Sequence, residues 1–277
     1  MSPLACPVRG CGVALERRER TLACARGHCF DVARSGYINL LQPQDRRSPS
    51  AGDSKASLEA RCRLAGAGIG LSLTAALVER VSALTLDPPI VVDLGSGTGE
   101  ALAAVVSGCG AGGVGIDLSV DACEIAARRF AALASATWVV ANADRRLPLL
   151  DGSVGLVLSI HARRNPAECA RVLSSRGYLL AAIPAADDLV ELRTFVQGER
   201  VERDRSSAVL EQHQQLFTLV DRGTIRERRP LGRALILDLL RGTYRGERRA
   251  LEERVASLDA MEVTMASEWL LFALRPR

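Results

Sequence analysis

The sequence predicts an α/β protein built on a mostly parallel sheet, with a small metal-binding module in front of it. Two observations predict the sheet: the β-branched run Ile90–Val92 leads into a glycine-rich turn, and a second apolar segment ends in an acid about 20 residues later. A third observation predicts the module, because four of the eight cysteines fall between residues 6 and 29.

The glycine-rich turn has the spacing G-x-G-x-G at Gly95, Gly97 and Gly99, and an Ala-rich helix is expected to follow it. This spacing differs from the G-x-G-x-x-G fingerprint that places a pyrophosphate on a helix N-terminus. Asp93, two residues before the first glycine, is a poor neighbour for phosphate and a good one for a cationic ligand. Asp117 ends the second strand, where a carboxylate is suited to bind two ribose hydroxyls. The two acids predict a site for a positively charged nucleoside and make an ordinary glycine-rich turn the weaker alternative.

Composition limits the class of protein. The chain has 277 residues, of which 48% are hydrophobic and 25% are charged, as in a soluble globular protein. It contains no apolar run near the roughly 20 residues that cross a bilayer and no apolar leader, so we expect a cytoplasmic protein that does not act at membranes. The cations behind the net charge of +4 are nearly all arginines, which suit phosphate contacts but also fit a GC-rich genome.

The N-terminal cysteines have the spacing of a zinc ribbon or knuckle. Two ligand pairs, Cys6 with Cys11 and Cys24 with His28, flank a short charged hairpin, and glycines beside them suit tight turns around an ion. Cys29 is a spare ligand able to replace His28. Four protein ligands leave no open position, so we expect a structural zinc. A chance cluster of thiols is the alternative. The remaining cysteines are interpreted as buried small hydrophobic residues: Cys62, Cys109, Cys123 and Cys169.

Two sets of motifs carry a resemblance to known proteins. The segment Asp93-Leu-Gly-Ser-Gly-Thr-Gly99, with Gly115-Ile-Asp117-Leu-Ser, resembles the class I S-adenosylmethionine-dependent methyltransferases. The zinc module followed by Phe30-Asp-Val-Ala-Arg-Ser-Gly36-Tyr-Ile-Asn39-Leu-Leu41, then by Gly52-Asp53-Ser54 and Ala60-Arg61, narrows the resemblance to the RlmA-type 23S rRNA (guanine-N1)-methyltransferases. This resemblance covers the chain from Cys6 to about Leu192.

The resemblance implies a fold, a reaction and a set of site residues. The fold is the seven-stranded, mostly parallel, Rossmann-like class I sheet, and the cofactors are S-adenosyl-L-methionine and Zn2+. The reaction is methyl transfer to N1 of a guanine in a hairpin loop of 23S rRNA, which the zinc module helps to hold. A guanine N1 carries a proton at neutral pH, so His161 and Asp53 are candidates to assist its removal. The expected cofactor-binding residues are Asp93, Gly95, Gly97, Gly99, Asp117, Leu118, Ala143 and Asp144.

The chain divides into three segments: a zinc-binding module at 1–42, a linker with two helices at 43–84, and the methyltransferase domain at 85–277. The linker bears Arg46 and Arg47, for which RNA phosphate contact and simple solvation are equally good interpretations. Near the end, alternating hydrophobicity predicts strands at 214–228 and 261–275, with helices at 230–240 and 246–258 between them. The charged residues at 199–205 are expected to form a solvated helix face first and an RNA contact second.

The sequence departs from the resembled family at its aromatic positions. Only ten residues are aromatic, and the positions where the family carries aromatic side chains are Ile69, Gly70 and His161 here. Stacking contributes roughly 1–3 kcal/mol per base, so two alternatives stay open. One is a small-molecule methyltransferase that keeps the zinc module as a scaffold, and the other is a non-catalytic zinc-containing RNA-binding protein. The sequence also leaves a homodimer open.

Overall fold

The computed structural model describes residues 2–45, 52–198, 202, 204–243, 255 and 257–276. Arg46, Arg47, most of the charged segment 199–205 and nearly all of the helix expected at 246–258 lie outside the described residues. Everything stated below concerns the described part of the chain.

The N-terminal module is a small antiparallel sheet with the order β1-β2-β3. Its strands are β1 (Leu15–Arg18), β2 (Thr21–Cys24) and β3 (Cys29–Asp31). A two-residue strand, β4 (Ile38–Asn39), follows the module. Strands this short bury little apolar surface by themselves, which is why the module needs further support from a metal and from its neighbour.

Two helices separated by a glycine-containing break connect the module to the rest of the chain. They are α1 (Lys55–Gly66) and α2 (Leu71–Ser82), and the side chain of Ser54 caps α1 by accepting the amide of Ser57. No single described helix has the length and apolar composition to cross a membrane; α1 and α2 pass that test only as a pair, and they are bent by 78° at their junction.

The second half alternates strands and helices in the manner of a doubly wound fold. The elements are β5 (Ile90–Leu94), α3 (Glu100–Cys109), β6 (Gly112–Asp117), α4 (Val120–Arg129), β7 (Ala136–Val140), β8 (Val154–Ile160), α5 (Pro166–Val172), β9 (Leu173–Pro184), α6 (Val190–Gln197), α7 (Ser206–His213), β10 (Phe217–Gly232), α8 (Arg233–Thr243) and β11 (Ala260–Leu274).

These strands form one sheet with the order β10-β11-β9-β8-β5-β6-β7-β4. Neighbouring strands from β9 to β4 are parallel, whereas β11 runs antiparallel to both β9 and β10. The chain order therefore reverses between β5 and β8, and the carboxyl ends of β5, β6 and β8 meet at one edge. Open α/β sheets bind their ligands at such a switch point.

The sheet has eight strands instead of the expected seven, because β4 joins it. Ile38 and Asn39 pair in parallel with Val139 and Val140 of β7, and the Leu40 amide bonds to Val140 O at 3.0 Å. A two-residue strand is too short to give a hydrophobic period, so the sequence pattern could not indicate it. Seven strands of the sheet match the predicted fold class.

The zinc module packs against one face of this sheet. Leu4, Leu15 and Leu22 of the module are buried in the same hydrophobic cluster as Val92 and Val114 of the sheet. Two backbone hydrogen bonds, Ala5 N to Pro148 O and Leu150 N to Pro3 O, each 2.9 Å, reinforce the contact. The two parts thus share one core, each buried leucine contributing roughly 1.5–3 kcal/mol. The boundaries at residues 42 and 84 stay a prediction.

Several element boundaries differ from the sequence predictions. Strand β10 runs over Phe217–Gly232, whereas the sequence predicts 214–228, and β11 runs over Ala260–Leu274, whereas the sequence predicts 261–275. Helix α8 starts at Arg233 and not at residue 230, since Pro230 and Gly232 remain in β10 opposite Glu262 and Ala260 of β11. Strand pairing here outweighs the local helical pattern.

Candidate functional site

The four predicted zinc ligands come together between the turns of the module. Cys6 Sγ and Cys24 Sγ each lie 3.4 Å from His28 Nδ1, and Cys11 Sγ lies 3.8 Å from Cys24 Sγ. All four ligand atoms are within 4.8 Å of one another. The exposed Cys29 directs its thiol toward Gly27 O at 3.7 Å, away from this group. The set therefore contains His28 and not Cys29.

This donor set suits a structural zinc ion. Three thiols and one imidazole are the ligands of zinc ribbons, and they fill a tetrahedral shell without leaving a position for water. None of the cysteines is in a disulfide. Arg26 Nη1 donates to Gly10 O at 2.7 Å and so links the two turns that carry the ligands.

The glycine loop after β5 needs glycine for both conformation and space. Gly95 has φ +73°, and a Cβ there would lie 2.5 Å from the Cβ of Ala162, in the loop after β8. Gly99 has φ +90°, and its Cβ would lie 2.5 Å from Trp138 Cη2. Larger residues would push these loops apart. These close contacts hold the turn against Ala162 and Trp138 at the switch point.

Asp117 holds the loop from the end of β6. Its Oδ2 accepts the Gly97 amide at 2.9 Å and its Oδ1 accepts the Ser119 amide at 2.8 Å. Each carboxylate oxygen keeps a second lone pair for a ligand hydroxyl. The half-buried Leu118 lies between Asp117 and Ser119 along the same edge.

Asp93 lies at the same edge as Asp117 and is buried, with 2% of its surface exposed. Burial first, and the charge of Asp117 second, raise the pKa of the Asp93 carboxyl to about 7. Its Oδ1 has no hydrogen-bond partner among the described residues. A cation beside this buried carboxyl group would stabilise its charged form.

Asp144 and Ala143 follow β7 at the next position along the edge. The Asp144 amide bonds to Asn142 Oδ1 at 2.9 Å, and its carboxylate lies 3.4 Å from Nη1 of the exposed Arg163. Ala143 is half-buried. The contact with Arg163 brings Asp144 next to the loop after β8, which also carries His161.

Asp53 reaches the site from the linker through Arg61 and Ser119. Asp53 Oδ2 lies 3.0 Å from Arg61 Nη1, and the Asp53 carbonyl accepts a hydrogen bond from Ser119 Oγ at 3.4 Å. Arg61 also donates to Gly242 O of α8 through Nε at 3.2 Å and Nη2 at 3.0 Å. Arg61 thus joins the linker, α8 and the glycine loop at one point.

His161 stands in a strained conformation at the end of β8, with φ +51°. Its ring Nε2 lies 3.0 Å from Ser267 Oγ, and its amide bonds to Ala182 O at 2.8 Å. The residue is exposed at the carboxyl edge of the sheet, although protein atoms surround much of its ring. Burial first, then the charges of Arg61 and Arg205, lower the pKa of His161 to about 4. The imidazole is therefore neutral at physiological pH.

Comparison with known proteins finds two family models that match separate parts of the chain. Residues 4–49 match the family model described as RlmA, N-terminal, and residues 91–177 match a methyltransferase domain. The 23S rRNA (guanine(748)-N(1))-methyltransferase of Streptomyces fradiae is 35% identical over 272 residues, which cover 95% of this chain and 94% of that protein. The chain belongs to the RlmA-type 23S rRNA (guanine-N1)-methyltransferase family.

Other relatives agree with this assignment. A candidate 23S rRNA (guanine-N1)-methyltransferase from Micromonospora griseorubida is 34% identical over 298 residues, covering 99% of this chain and 97% of that one. A candidate methyltransferase of known structure from Bacillus halodurans matches with a TM-score of 0.52 at 17% identity, over 73% of this chain and 98% of that one. The structural match shows the class I fold alone.

The family's methyltransferase domain implies S-adenosyl-L-methionine as cofactor, and two buried atoms fit it. Three buried side-chain polar atoms have no hydrogen-bond partner among the described residues, and Asp93 Oδ1 and Ser96 Oγ are two of them. Asp93 lies near the end of the strand before the glycine loop and Ser96 lies within that loop. An acceptor at Asp93 and a hydroxyl at Ser96 suit the cationic amino acid end of the cofactor.

Two residues of this RlmA-type site lay outside the sequence predictions. Ser96 occupies a spacer position of the glycine motif, and nothing in its spacing marked it as a ligand-facing residue. Arg61 belonged to a motif shared with the family, but its partner Gly242 is 181 residues away and gave no local signal. Contacts of this range are set by the fold.

At the family's aromatic positions the structure offers no flat ring besides the imidazole of His161. Ile69 is half-buried and packs against the cluster formed around α1, α6 and α8. Gly70 immediately precedes α2. Of the three positions, His161 alone presents a planar side chain at the carboxyl edge of the sheet.

Proposed function

We propose that this protein transfers a methyl group from S-adenosyl-L-methionine to N1 of a guanine in a hairpin loop of 23S rRNA. The observation that carries the proposal is the joining of a four-ligand zinc module and a glycine loop with two strand-end acids in one chain. Family membership over nearly the whole length supports the same substrate class. The cofactor supplies an electrophilic methyl group when it is bound.

In this proposal, each residue at the edge has one role in holding the cofactor. Asp93 and Ser96 bind the charged amino acid end, and the free lone pairs of Asp117 accept the two ribose hydroxyls. Asp144 binds the adenine amino group, while Leu118 and Ala143 line the base. The loops at Gly95, Gly97 and Gly99 let the backbone approach closely.

His161 and Asp53 are proposed to face the acceptor base. His161 stacks on or hydrogen-bonds the guanine as a neutral ring, since the pKa of its conjugate acid is about 4. Asp53 enters the same cleft from the linker and is held there by Arg61 at 3.0 Å. The zinc module, fixed to the sheet by a shared core, holds the hairpin at a set distance from the glycine loop.

Tritiated methyl transfer to unmodified 23S rRNA tests the proposal, with primer extension to place the product. We expect label in the RNA and a reverse-transcriptase stop one residue before a guanine, and we expect both to vanish in Asp93→Ala. Label in a small-molecule fraction with none in rRNA would favour the scaffold alternative. Absence of cofactor binding by calorimetry, with RNA binding intact, would favour a non-catalytic RNA-binding protein.

We also propose that the protein works in the cytoplasm, where its rRNA substrate is found, and away from membranes. The homodimer that the sequence leaves open stays a prediction. Light scattering coupled to gel filtration tests it.

A further inference from the structure

His161 and Arg205 are both anchored where β8 and β9 end, beside the antiparallel strand β11. His161 Nε2 lies 3.0 Å from Ser267 Oγ. Ser267 pairs with Pro184 across β11 and β9, and Arg205 Nη1 donates to Pro184 O at 3.3 Å. The Arg205 guanidinium and the His161 imidazole are therefore each bonded to one residue of the Ser267–Pro184 pair.

A second guanidinium, that of Arg61 in α1, lies beside the glycine loop. Arg61 Nη1 lies 3.8 Å from the position that a Cβ of Gly97 would occupy, and 3.0 Å from Asp53 Oδ2. Its charge and that of Arg205 both contribute to lowering the pKa of His161. The charges of two arginines therefore act on His161, at the end of β8 where the acceptor base is proposed to bind.

His161, one of the two side chains proposed to face the acceptor, is a weak proton acceptor. Methylation at N1 of guanine requires loss of the N1 proton, which the base holds at neutral pH. His161 has a pKa of about 4, so its ring gives up a proton far more readily than it takes one. Asp53 Oδ2 lies 3.0 Å from Arg61 Nη1, so a guanidinium already occupies that carboxylate oxygen.

Other charged groups lie at this edge of the sheet, and most have a structural partner. Asp188, whose pKa is raised to about 6 mainly by burial, accepts the Ala266 amide at 2.9 Å and so completes the edge of β11 beyond its pairing with β9. Arg193 Nη2 donates to Ala186 O at 2.8 Å. Further charged groups among the described residues at this edge are Asp93, Asp117, Asp144, Arg163, Arg164, which donates to Ala162 O, and Asp187, which pairs with Arg226.

We propose that Arg205, with Arg61, favours the N1-deprotonated form of the acceptor guanine by its positive charge, so that no side chain needs to act as a general base. The proposal rests on the proposed function. The N1–H bond breaks first and the proton leaves to water, which reaches the exposed surface of His161. The freed N1 lone pair then forms the bond to the methyl carbon as the carbon–sulfur bond breaks, and the anionic base becomes neutral methylguanine.

The test uses the full-length protein and a 23S rRNA hairpin labelled with 15N at N1 of the guanine that primer extension identifies. The 15N shift is followed against pH in the cofactor-free complex, and single-turnover methylation is followed over the same range. We expect the N1 midpoint to be lower in the complex than in the free hairpin. Arg205→Gln should raise the bound midpoint by about one pH unit, and the methylation profile should shift equally.

Three further variants separate charge from structure. Arg205→Lys keeps the charge and should retain the wild-type midpoint. Arg176→Gln removes an equal charge from the exposed start of β9, at the opposite edge of the sheet, and should change nothing. Asp188→Asn removes a negative charge near Arg205 and should lower the midpoint, so it tests the proposal even if Arg205→Gln fails to fold.

Two results would overturn the proposal. Equal N1 midpoints in the wild type and Arg205→Gln would show that the guanidinium has no influence on the base. If the methylation rate of Asp188→Asn no longer changed with pH, the carboxylate of Asp188 would be identified as the general base. Absence of any primer-extension stop contradicts the proposed function instead, so the two failures are distinguishable.

Discussion

The carboxylate of Asp117 accepts the amide of Gly97 at 2.9 Å, and this one contact joins the end of β6 to the glycine loop after β5. The loop conformation is therefore fixed by the protein itself before any ligand binds. A preformed loop reduces the conformational entropy that a ligand must overcome. Substitutions at Gly95 test this preformed geometry, and a substitution at Asp93 tests the charge beside it.

Replacing Asp93 with asparagine should stabilise the cofactor-free protein at alkaline pH while weakening cofactor binding. The folded-state pKa of Asp93 is about 7 against an ordinary 3.8, so the native state binds the proton more tightly than the unfolded state. The wild type consequently loses stability as the pH rises from about 4 through 7, by at most about 4 kcal/mol from this group. Asp93→Asn removes that loss.

The measurement is the difference in melting temperature between wild type and Asp93→Asn at pH 5 and pH 8, without cofactor. We expect the variant to gain relative to wild type at pH 8, and calorimetry to show weaker cofactor binding. Other buried acids such as Asp188 affect both proteins equally and cancel in the difference. A constant difference across the two pH values would contradict the assigned pKa.

Gly95→Ala should disrupt the cofactor site through contact and not through backbone strain. Gly95 has φ +73°, and its added methyl group would lie 2.5 Å from the Cβ of Ala162. Gly110 has a similar φ of +67°, with nothing within 4 Å of the Cβ position. Gly110→Ala therefore carries the backbone cost, roughly 1–2 kcal/mol, without the collision.

Cofactor titration calorimetry and chemical unfolding of both variants check this prediction. We expect Gly110→Ala to lose stability but bind the cofactor normally, and Gly95→Ala to lose affinity by at least tenfold. Equal cofactor affinity in the two variants would mean that the packing of Gly95 on Ala162 has no part in shaping the site.

Loss of zinc should destabilise the whole protein and not the N-terminal module alone. Cys6 and Cys24 are buried in the hydrophobic cluster that includes Val92 and Val114 of the sheet, so disorder at the module exposes part of that core. We expect Cys24→Ser to abolish zinc binding and lower the melting temperature of the main unfolding transition. Cys29→Ser should bind one zinc and melt like the wild type, since its thiol points to Gly27 O.

Zinc content by atomic emission and scanning calorimetry give the two readouts. A metal-free Cys24→Ser protein whose main transition stays at the wild-type temperature would show that the module and the sheet unfold independently. Zinc loss in Cys29→Ser would instead require a different ligand set from Cys6, Cys11, Cys24 and His28.

Local patterns were enough to predict the elements that carry the cofactor loop. The β-branched run before Gly95 and the acids at Asp93 and Asp117 fix strand, turn and edge within a few residues, so the structure agrees with the sequence there. The zinc ligands could be predicted equally well, because their spacing is visible within a short stretch of sequence.

Features that depend on distant parts of the chain could not be predicted. The pairing of Ile38 with Val139 adds a strand to the sheet, and the anchoring of Arg61 on Gly242 joins α1 to α8, yet neither leaves a period or motif. The lowered pKa of His161 likewise depends first on burial and then on the charges of Arg61 and Arg205, which the fold brings from other segments. Such residues are found only when the three-dimensional arrangement is known.

His161 should contribute a flat surface to catalysis and not a titrating group. Its pKa of about 4 keeps the ring neutral over the working pH range, so replacing it with phenylalanine preserves the plane and loses only the contact to Ser267 Oγ. His161→Ala removes the plane, and the lost stacking of roughly 1–3 kcal/mol predicts a fall in kcat/KM of about 5- to 150-fold. His161→Phe should stay within a few-fold of the wild type, with the same pH–rate profile between pH 5.5 and 8. Rates of both variants on the rRNA hairpin test this, and a limb near pH 6 to 7 that disappears in His161→Phe would assign proton transfer to the imidazole after all.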